Sequence, residues 1–509
     1  MNNEKLKQIL IVGGGAAGWL TAAILAAEHG EAVGGSCVIT LVESPDAPTL
    51  GVGEGTWPSM RDTLRRVGLS EKRLFAECDA SFKQGSLFNG WATGAVDDRY
   101  YHPFTLPHGY FEQDLARYCT DQPFAYGVSA QPILCDAARA PKQLATPEYA
   151  AVVNYGYHFD AGKFGALLRD HCTRGLGVVY KQLHVTETKA SARGDLASLQ
   201  TRQGEELAAD FFIDCSGSQS LLLAKHYQIP WRCQRDVLFN DCALATQVPY
   251  QQADESIASV TRASAHNNGW MWDIGLPTRR GLGFVFARNF ISEDEAQVEF
   301  ERYLSTQVAD VKSLTVRTLK FDPGYRETFW VNNCVAVGMA AGFIEPLEAS
   351  ALAMVEQSAA LIRDLLPVQR ANMTGAACQY NARTLQQWQQ VIEFLKLHYL
   401  VSRRDSPYWQ AHRQATSLPE SLADLLRRWQ HRPPNQADFA LAKPLFPAAS
   451  YRYVLQGAGF GCDYSRSPRP DANRQRAQQL LSEVTMQSQK YLGGLPSNRD
   501  FINQWLAAS

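Results

Sequence analysis

An apolar strand, a glycine turn and a helix in immediate succession restrict this chain more than anything else in it. Ile9-Leu10-Ile11-Val12 feeds directly into Gly13-Gly14-Gly15-Ala16-Ala17-Gly18, which opens an alanine-rich helical stretch. In this G-x-G-x-x-G spacing Gly13 permits a tight turn, Gly15 lets backbone N–H groups approach a pyrophosphate, and Gly18 lets helix pack on strand. Ala16 and Ala17 fall at the helix N-terminus, where unpaired N–H groups and the helix dipole favour anionic phosphates. A second strand, 37–42, runs into Glu43, a carboxylate suited to accept from ribose hydroxyls. Glu43 comes later than the usual distance of about 20 residues, an excess that the polar, glycine-containing loop 29–35 accounts for. The expectation is a dinucleotide site on an α/β framework; the bland alternative is an ordinary α/β turn.

The chain has 509 residues, enough for roughly two to four domain-sized units. Its 45% hydrophobic and 11% aromatic content can fill a large core. A formal net charge of −2, with both signs mixed along the chain, provides no basic stripe, so no nucleic-acid partner is expected. No apolar run is long enough to span a bilayer, and residues 9–12 lead into the glycine turn instead of forming a signal segment. Eleven cysteines, an odd number with no C-x-x-C pair, read as reduced, mostly buried thiols in a cytoplasmic protein without a zinc site.

No internal repeat or low-complexity tract divides the chain. A second glycine-rich loop, Gly51-Val52-Gly53-Glu54-Gly55, precedes a helix expected over 61–69. Residues 97–147, rich in Tyr, Phe, His and Pro, read as a long ordered loop over a site. A helix carrying Phe164, Leu167 and Leu168, a strand over 178–185 and a buried strand ending at Asp214 follow. Between 230 and 319 alternating segments, among them 243–248, 269–274 and 281–287, suggest a sheet over a second site. A further strand, 334–338, leads through 340–348 to a helix over 350–366; beyond 374 the chain is helical to Trp429, then makes a glycine turn at 457–461 and a final helix.

Several short motifs, in this order, resemble one family: the flavin-dependent halogenases of the tryptophan-halogenase type, relatives of single-component FAD monooxygenases. They are the Gly13–Gly18 turn, Gly51-Val52-Gly53-Glu54, Ser81-Phe82-Lys83, Tyr101-His102-Pro103-Phe104, Tyr157-His158-Phe159-Asp160, Asp214-Cys215-Ser216-Gly217, Trp270-Met271-Trp272-Asp273-Ile274, residues 342–348, and Phe394-Leu395-Lys396-Leu397-His398-Tyr399. The resemblance implies a mixed α/β chain: a discontinuous, Rossmann-like FAD-binding domain of the GR2 type (1–95, 151–225, 320–366), a substrate-side sheet with loops (96–150, 226–319) and a helical C-terminal substrate-binding part (367–509). It also implies that FADH2 from a separate flavin reductase, with O2, converts chloride or bromide to hypohalous acid, which crosses a tunnel to a small aromatic substrate. FAD would lie against Gly13, Gly15, Ala16, Ala17, Gly18, Glu43, Gly51, Val52, Gly53, Glu54, Asp214, Gly338 and Leu347.

By the same resemblance Lys83 is the essential lysine that aims the halogen, through its ammonium or as a haloamine; read blandly, it is a surface lysine at a helix edge. Glu348 is the active-site glutamate, and its apolar neighbours suggest a carboxyl partly desolvated, with a raised pKa suited to a general base. The N–H groups of Ser350 and Ala351 fall where the family holds halide. Trp270 and Trp272, on one face of a strand, either shield the flavin or are simply core. His102, Pro103, Phe104 and His398 match the pocket for an indole ring. Two motifs depart from the family: the strand ends Trp272-Asp273-Ile274-Gly275 where the family has a proline, and Pro346-Leu347-Glu348-Ala349-Ser350-Ala351 stands for P-L-E-S-T-G. Around 450–455 the family's grip on an amino-acid moiety has no match, so tryptophan, indole and larger indole derivatives all stay open. A flavin monooxygenase of an aromatic substrate is the rival reading, a non-catalytic flavin carrier a third, and the resemblance leaves a homodimer open.

Overall fold

A computed structural model describes residues 5–46, 53–367, 369–463, 465 and 473–508. Ile9 to Val12 are all buried, as an apolar run without alternation requires when a parallel strand is covered on both faces. The strand Gln8–Val12 lies between Phe211–Asp214 and Val38–Glu43, in a six-stranded sheet ordered Trp330–Val331, Cys334–Ala336, Phe211–Asp214, Gln8–Val12, Val38–Glu43, Val179–Gln182. All pairings are parallel except the first. The helix Ala16–His29 buries Trp19, Leu20, Ile24 and Leu25 and packs against the helices Ala161–Gly175 and Ser350–Leu365.

A seven-stranded sheet forms the second half of the scaffold, ordered Arg317–Lys320, Cys242–Pro249, Arg279–Phe286, Gly269–Gly275, Thr261–His266, Gly85–Asn89, Arg99–Pro103. Its pairs are antiparallel apart from Thr261–His266 with Gly85–Asn89. Strand Gly85–Asn89, expected on the nucleotide side of a boundary at 95, is hydrogen-bonded here, with Ser86 opposite His102. Residues 97–147 are also more regular than expected. They contain the strand Arg99–Pro103 and the short helices Phe124–Val128 and Gln131–Asp136, because an edge strand that places His102 and Tyr100 inward needs no strict hydrophobic alternation. A small sheet, Gly53–Gly55, Gly156–Asp160, Ser81–Lys83, joins the halves, with Glu54 opposite Phe159, His158 opposite Ser81 and Lys83 opposite Gly156.

The strand expected over 178–185 breaks at Leu183-His184 into Val179–Gln182 and Val185–Ala190. The C-terminal part is helical: Met373–Leu400, Pro407–His412, Glu420–Trp429, Ala448–Gly457, Arg474–Gly494 and Asn498–Ala507. Among the described residues no helix is long and apolar enough to cross a membrane. Among the described residues no disulfide is formed, and seven of the eleven cysteines are buried.

Candidate active site

The glycine turn is shaped by close approach. Gly13 sits at φ +115°, and a Cβ there would lie 2.2 Å from the carbonyl oxygen of Cys215; one on Gly18 would lie 1.8 Å from that of Gly13. Only glycine fits at either place. Gly15 differs: a Cβ would meet nothing within 4 Å, and no side chain caps the helix that starts after it. The turn therefore presents an open cradle and free N–H groups, which suits a pyrophosphate. The Glu43 carboxylate lies over Gly14 and accepts from the Tyr180 hydroxyl. Gly338, at φ +68°, packs against Ala17. Asp214 is different from what its motif suggested. Its carboxylate is fully buried and accepts from the N–H groups of Ser216 (3.1 Å), Leu222 (2.8 Å) and Leu223 (3.0 Å), so it organises the turn after its strand. Gly51 and Val52 lie outside the described residues; Gly53 meets Ile274.

Lys83 ends the strand Ser81–Lys83 with no exposed surface. Among the described residues its Nζ has no hydrogen-bond partner. It lies 5.4 Å from the centroid of Phe104 and faces Gly55, where a Cβ would be 3.1 Å from both Nζ and the Ala349 methyl. Burial lowers its pKa to about 8, against the pull of Glu348 and Glu54. The half-buried Glu54 is pushed up to about 7 by desolvation, which Lys83 opposes. A helix-edge surface lysine is thus excluded.

Glu348 is buried at the start of the turn into Ser350–Leu365, with φ +62°, followed by Ala349 at φ +54°. Two successive non-glycine residues in this region are strained by about 1–3 kcal/mol each, and they are held from several sides. Trp57 Nε1 donates to the Glu348 carbonyl (2.9 Å), Ser86 Oγ to Oε2 (2.8 Å), and His102 Nδ1 to Oε1 (2.6 Å). His398 Nε2 is 3.4 Å from the same Oε1. Burial alone would raise the Glu348 carboxyl, but the two imidazoles outweigh it and hold it well below the usual carboxylate range. The expected raised pKa is therefore overturned: the site keeps an anion.

His398 is likewise not an open pocket wall. It is fully buried, stacked on Phe88 at 4.4 Å, and bonded through Nδ1 to the Tyr100 hydroxyl at 3.0 Å. His102 serves both the anion and an aromatic cluster in which Trp57 lies 5.7 Å from His102, 5.1 Å from Phe104 and 5.0 Å from Phe446. Phe394 and Tyr453 complete it, at 5.6 and 6.3 Å from His102, and Pro103 ends the same strand, buried. Trp57, Phe446, Tyr453 and Ser86 were not singled out from sequence; Trp57 and Ser86 stand three residues after Glu54 and Lys83, but nothing local shows that they turn toward Glu348.

Trp270 and Trp272 share one face, 6.3 Å apart, with Ile274 continuing it to Gly53. Trp272 packs closely against Gly283, where a Cβ would come within 2.1 Å of the ring. Trp270 Nε1 donates to Glu345 Oε2 (2.9 Å), another group the sequence did not flag. Leu347 is buried in the Glu348 turn, and Ser350 and Ala351 open the following helix with no side-chain cap, leaving N–H groups free for an anion.

Residues 8–470 match the family model described as tryptophan halogenase. The tryptophan 7-halogenase RebH of Lentzea aerocolonigenes is 31% identical over 98% of this chain and 99% of its own. The tryptophan 6-halogenase ThaL of Streptomyces albogriseolus is 28% identical over the full length of both. Among solved structures, a tryptophan halogenase from Shewanella frigidimarina is 44% identical with a TM-score of 0.95, covering 99% of this chain and 98% of the other.

Proposed function

The chain belongs to the tryptophan halogenase family of flavin-dependent enzymes, and from that premise we propose that it halogenates an indole-like arene with Lys83 directing the halogen and Glu348 acting as a fixed anion. The observation that carries this reading is the Lys83 ammonium, buried and unpartnered among the described residues beside Phe104 and the Glu348 turn. A buried donor without a partner costs about 1–3 kcal/mol or more, and a hypohalous acid oxygen is a ligand that would relieve it.

Reduced FAD from a separate flavin reductase, with O2, would supply the oxidising equivalents that turn chloride or bromide into hypohalous acid. The cradle at Gly15, the helix N-terminus at Ala16 and Glu43 fit the dinucleotide, and the N–H groups of Ser350 and Ala351 fit the halide. Trp270 and Trp272 would keep arene away from the flavin and leave a passage only a small oxidant can use. At pH 7 a lysine of pKa about 8 is mostly an ammonium, so it donates to the oxygen of the hypohalous acid and makes that oxygen the better leaving group. The cationic ring that forms is a strong acid. Glu348 stabilises it electrostatically and takes its proton even though its pKa is low. Trp57, His102, Phe104, Phe394, Phe446 and Tyr453 provide the faces that hold a flat, electron-rich ring.

Mass spectrometry tests this: tryptophan and indole are incubated with the protein, FAD, a flavin reductase, NADH, O2 and either halide, beside Lys83→Ala. The expected result is a halogen isotope pattern absent from the variant. Hydroxylated product formed without halide would replace this reading with a monooxygenase.

A further inference from the structure

Glu345 is almost completely buried, at 1% exposure, and the reaction proposed above gives it nothing to do. Its Oε2 nevertheless accepts three hydrogen bonds: from Asn240 Nδ2 (2.5 Å), Tyr399 Oη (2.7 Å) and Trp270 Nε1 (2.9 Å). Its Oε1 has no partner among the described residues. One oxygen thus gathers donors from three separate elements: the segment before Cys242–Pro249, the long helix Met373–Leu400 and the strand Gly269–Gly275.

The pairing follows a pattern. Glu345 and Glu348 belong to one turn, and two consecutive residues of one helix face them: Tyr399 donates to Glu345, and His398 Nε2 lies 3.4 Å from Glu348 Oε1 without a hydrogen bond. Opposite the helix, each acid is also tied to the seven-stranded sheet: Glu345 to Trp270, Glu348 to His102 and Ser86. Glu348 and Ala349 hold left-handed backbone, which persists only where the surroundings over-determine it. Burial pushes the Glu345 carboxyl up, against its three donors and Lys396.

We infer that Glu345 is a positioning residue that locks the Trp270 indole and the Glu348 turn to each other, so that the barrier beside the flavin and the anion beside the substrate keep one fixed relation. The effect on chemistry rests on the halogenase reading; the mechanical link does not. Removing the acceptor deprives the Trp270 N–H and the Tyr399 hydroxyl of their partner, while Asn240 Nδ2 keeps the Tyr399 oxygen at 3.0 Å, and Trp270 is the one whose displacement would open the passage.

The test compares Glu345→Leu with Glu345→Gln. Glutamine keeps a carbonyl oxygen for the three donors; leucine keeps only bulk. The protein is labelled with 5-fluorotryptophan, Trp270 is assigned by Trp270→Phe, and its fluorine resonance is read alongside the yield of halogenated product per reduced flavin oxidised. In Glu345→Leu the Trp270 resonance should move and the yield fall by about ten-fold, as expected when a group far from the bond-making atoms misplaces them. In Glu345→Gln both should stay near wild type. In a Trp270→Phe background Glu345→Leu should cost no more than about two-fold further, since the two act through one contact. Should Glu345→Leu fail to fold, Glu345→Asp carries the same expectation, because it withdraws the acceptor by one methylene. An unmoved resonance with unchanged yield in the folded variants overturns the inference, and so does Glu345→Gln failing as badly as Glu345→Leu. A wild type that halogenates neither arene would defeat the proposed function, while the resonance would still decide the link.

Discussion

Replacing Lys83 with methionine should make the protein more stable and inactive. Lys83 is fully buried, has no hydrogen-bond partner among the described residues, and has a pKa lowered from 10.5 to about 8. At 1.36 kcal/mol per pKa unit, that difference is a penalty of about 3 kcal/mol on the charged form in the fold. The folded pKa lies below the unfolded one, so the penalty is fully present at pH 7, shrinks as pH rises through about 8, and vanishes above 10.5. Methionine keeps the length of the side chain and removes the charge. The attraction of Glu348 and Glu54 is already contained in that lowered pKa, so the net gain at pH 7 should be about 3 kcal/mol, or about 3 °C in Tm for a chain this long. Guanidinium and thermal unfolding of both proteins at pH 7 and 9.5 measure it, and the advantage should narrow at the higher pH. Halogenation should fall by at least about 100-fold. A variant less stable than wild type by about 1 kcal/mol or more at pH 7 would refute the reasoning, since a lysine missed by the fold is a lysine the fold uses.

Wild-type halogenation should show an alkaline limb near pH 8, where the ammonium is lost; a rise with pH would instead indicate the neutral amine and a haloamine. Gly15→Val, whose side chain would enter open space, should leave Tm within about 1 °C and weaken FAD by at least about ten-fold, as read by calorimetry with FAD. His102→Ala removes the 2.6 Å donor to Glu348, and should lower kcat by about 10–100-fold with a smaller change in KM. Gly283→Ala places a methyl against the Trp272 ring, and should cost about 1–3 kcal/mol in stability while raising peroxide released per flavin oxidised.

What could be read in advance was local. Residues 9–18 carry strand, turn and helix within one short run, and the alternation of Trp270 and Trp272 gave their shared face before any neighbour was known. The partners of Glu348 were not local. His102, 246 positions away, and Ser86, 262 away, reach it only because Gly85–Asn89 and Arg99–Pro103 pair in the seven-stranded sheet. Apolar flanks made a raised pKa the natural expectation for Glu348, and two imidazoles from distant elements reverse it. Asp214 was legible as a position but not as a contact, because its turn consumes both oxygens. Glu345 stood inside the 342–348 motif with no role assigned to it, since its meaning lies in three donors brought from 240, 270 and 399.

The sheet order has a consequence for synthesis. Strand Phe211–Asp214 has Gln8–Val12 on one side from the moment it emerges, but its other neighbour is Cys334–Ala336. At about 5–20 residues per second, a nascent chain holds that apolar edge open for seconds to tens of seconds, which is the condition under which strands pair with the wrong molecule. The helix Ser350–Leu365, which packs on Ala16–His29, arrives later still. Slower initiation or a lower growth temperature should therefore raise the yield of soluble enzyme more than any codon change upstream of residue 211, and a ribosome-bound chain ending before 334 should be a chaperone client.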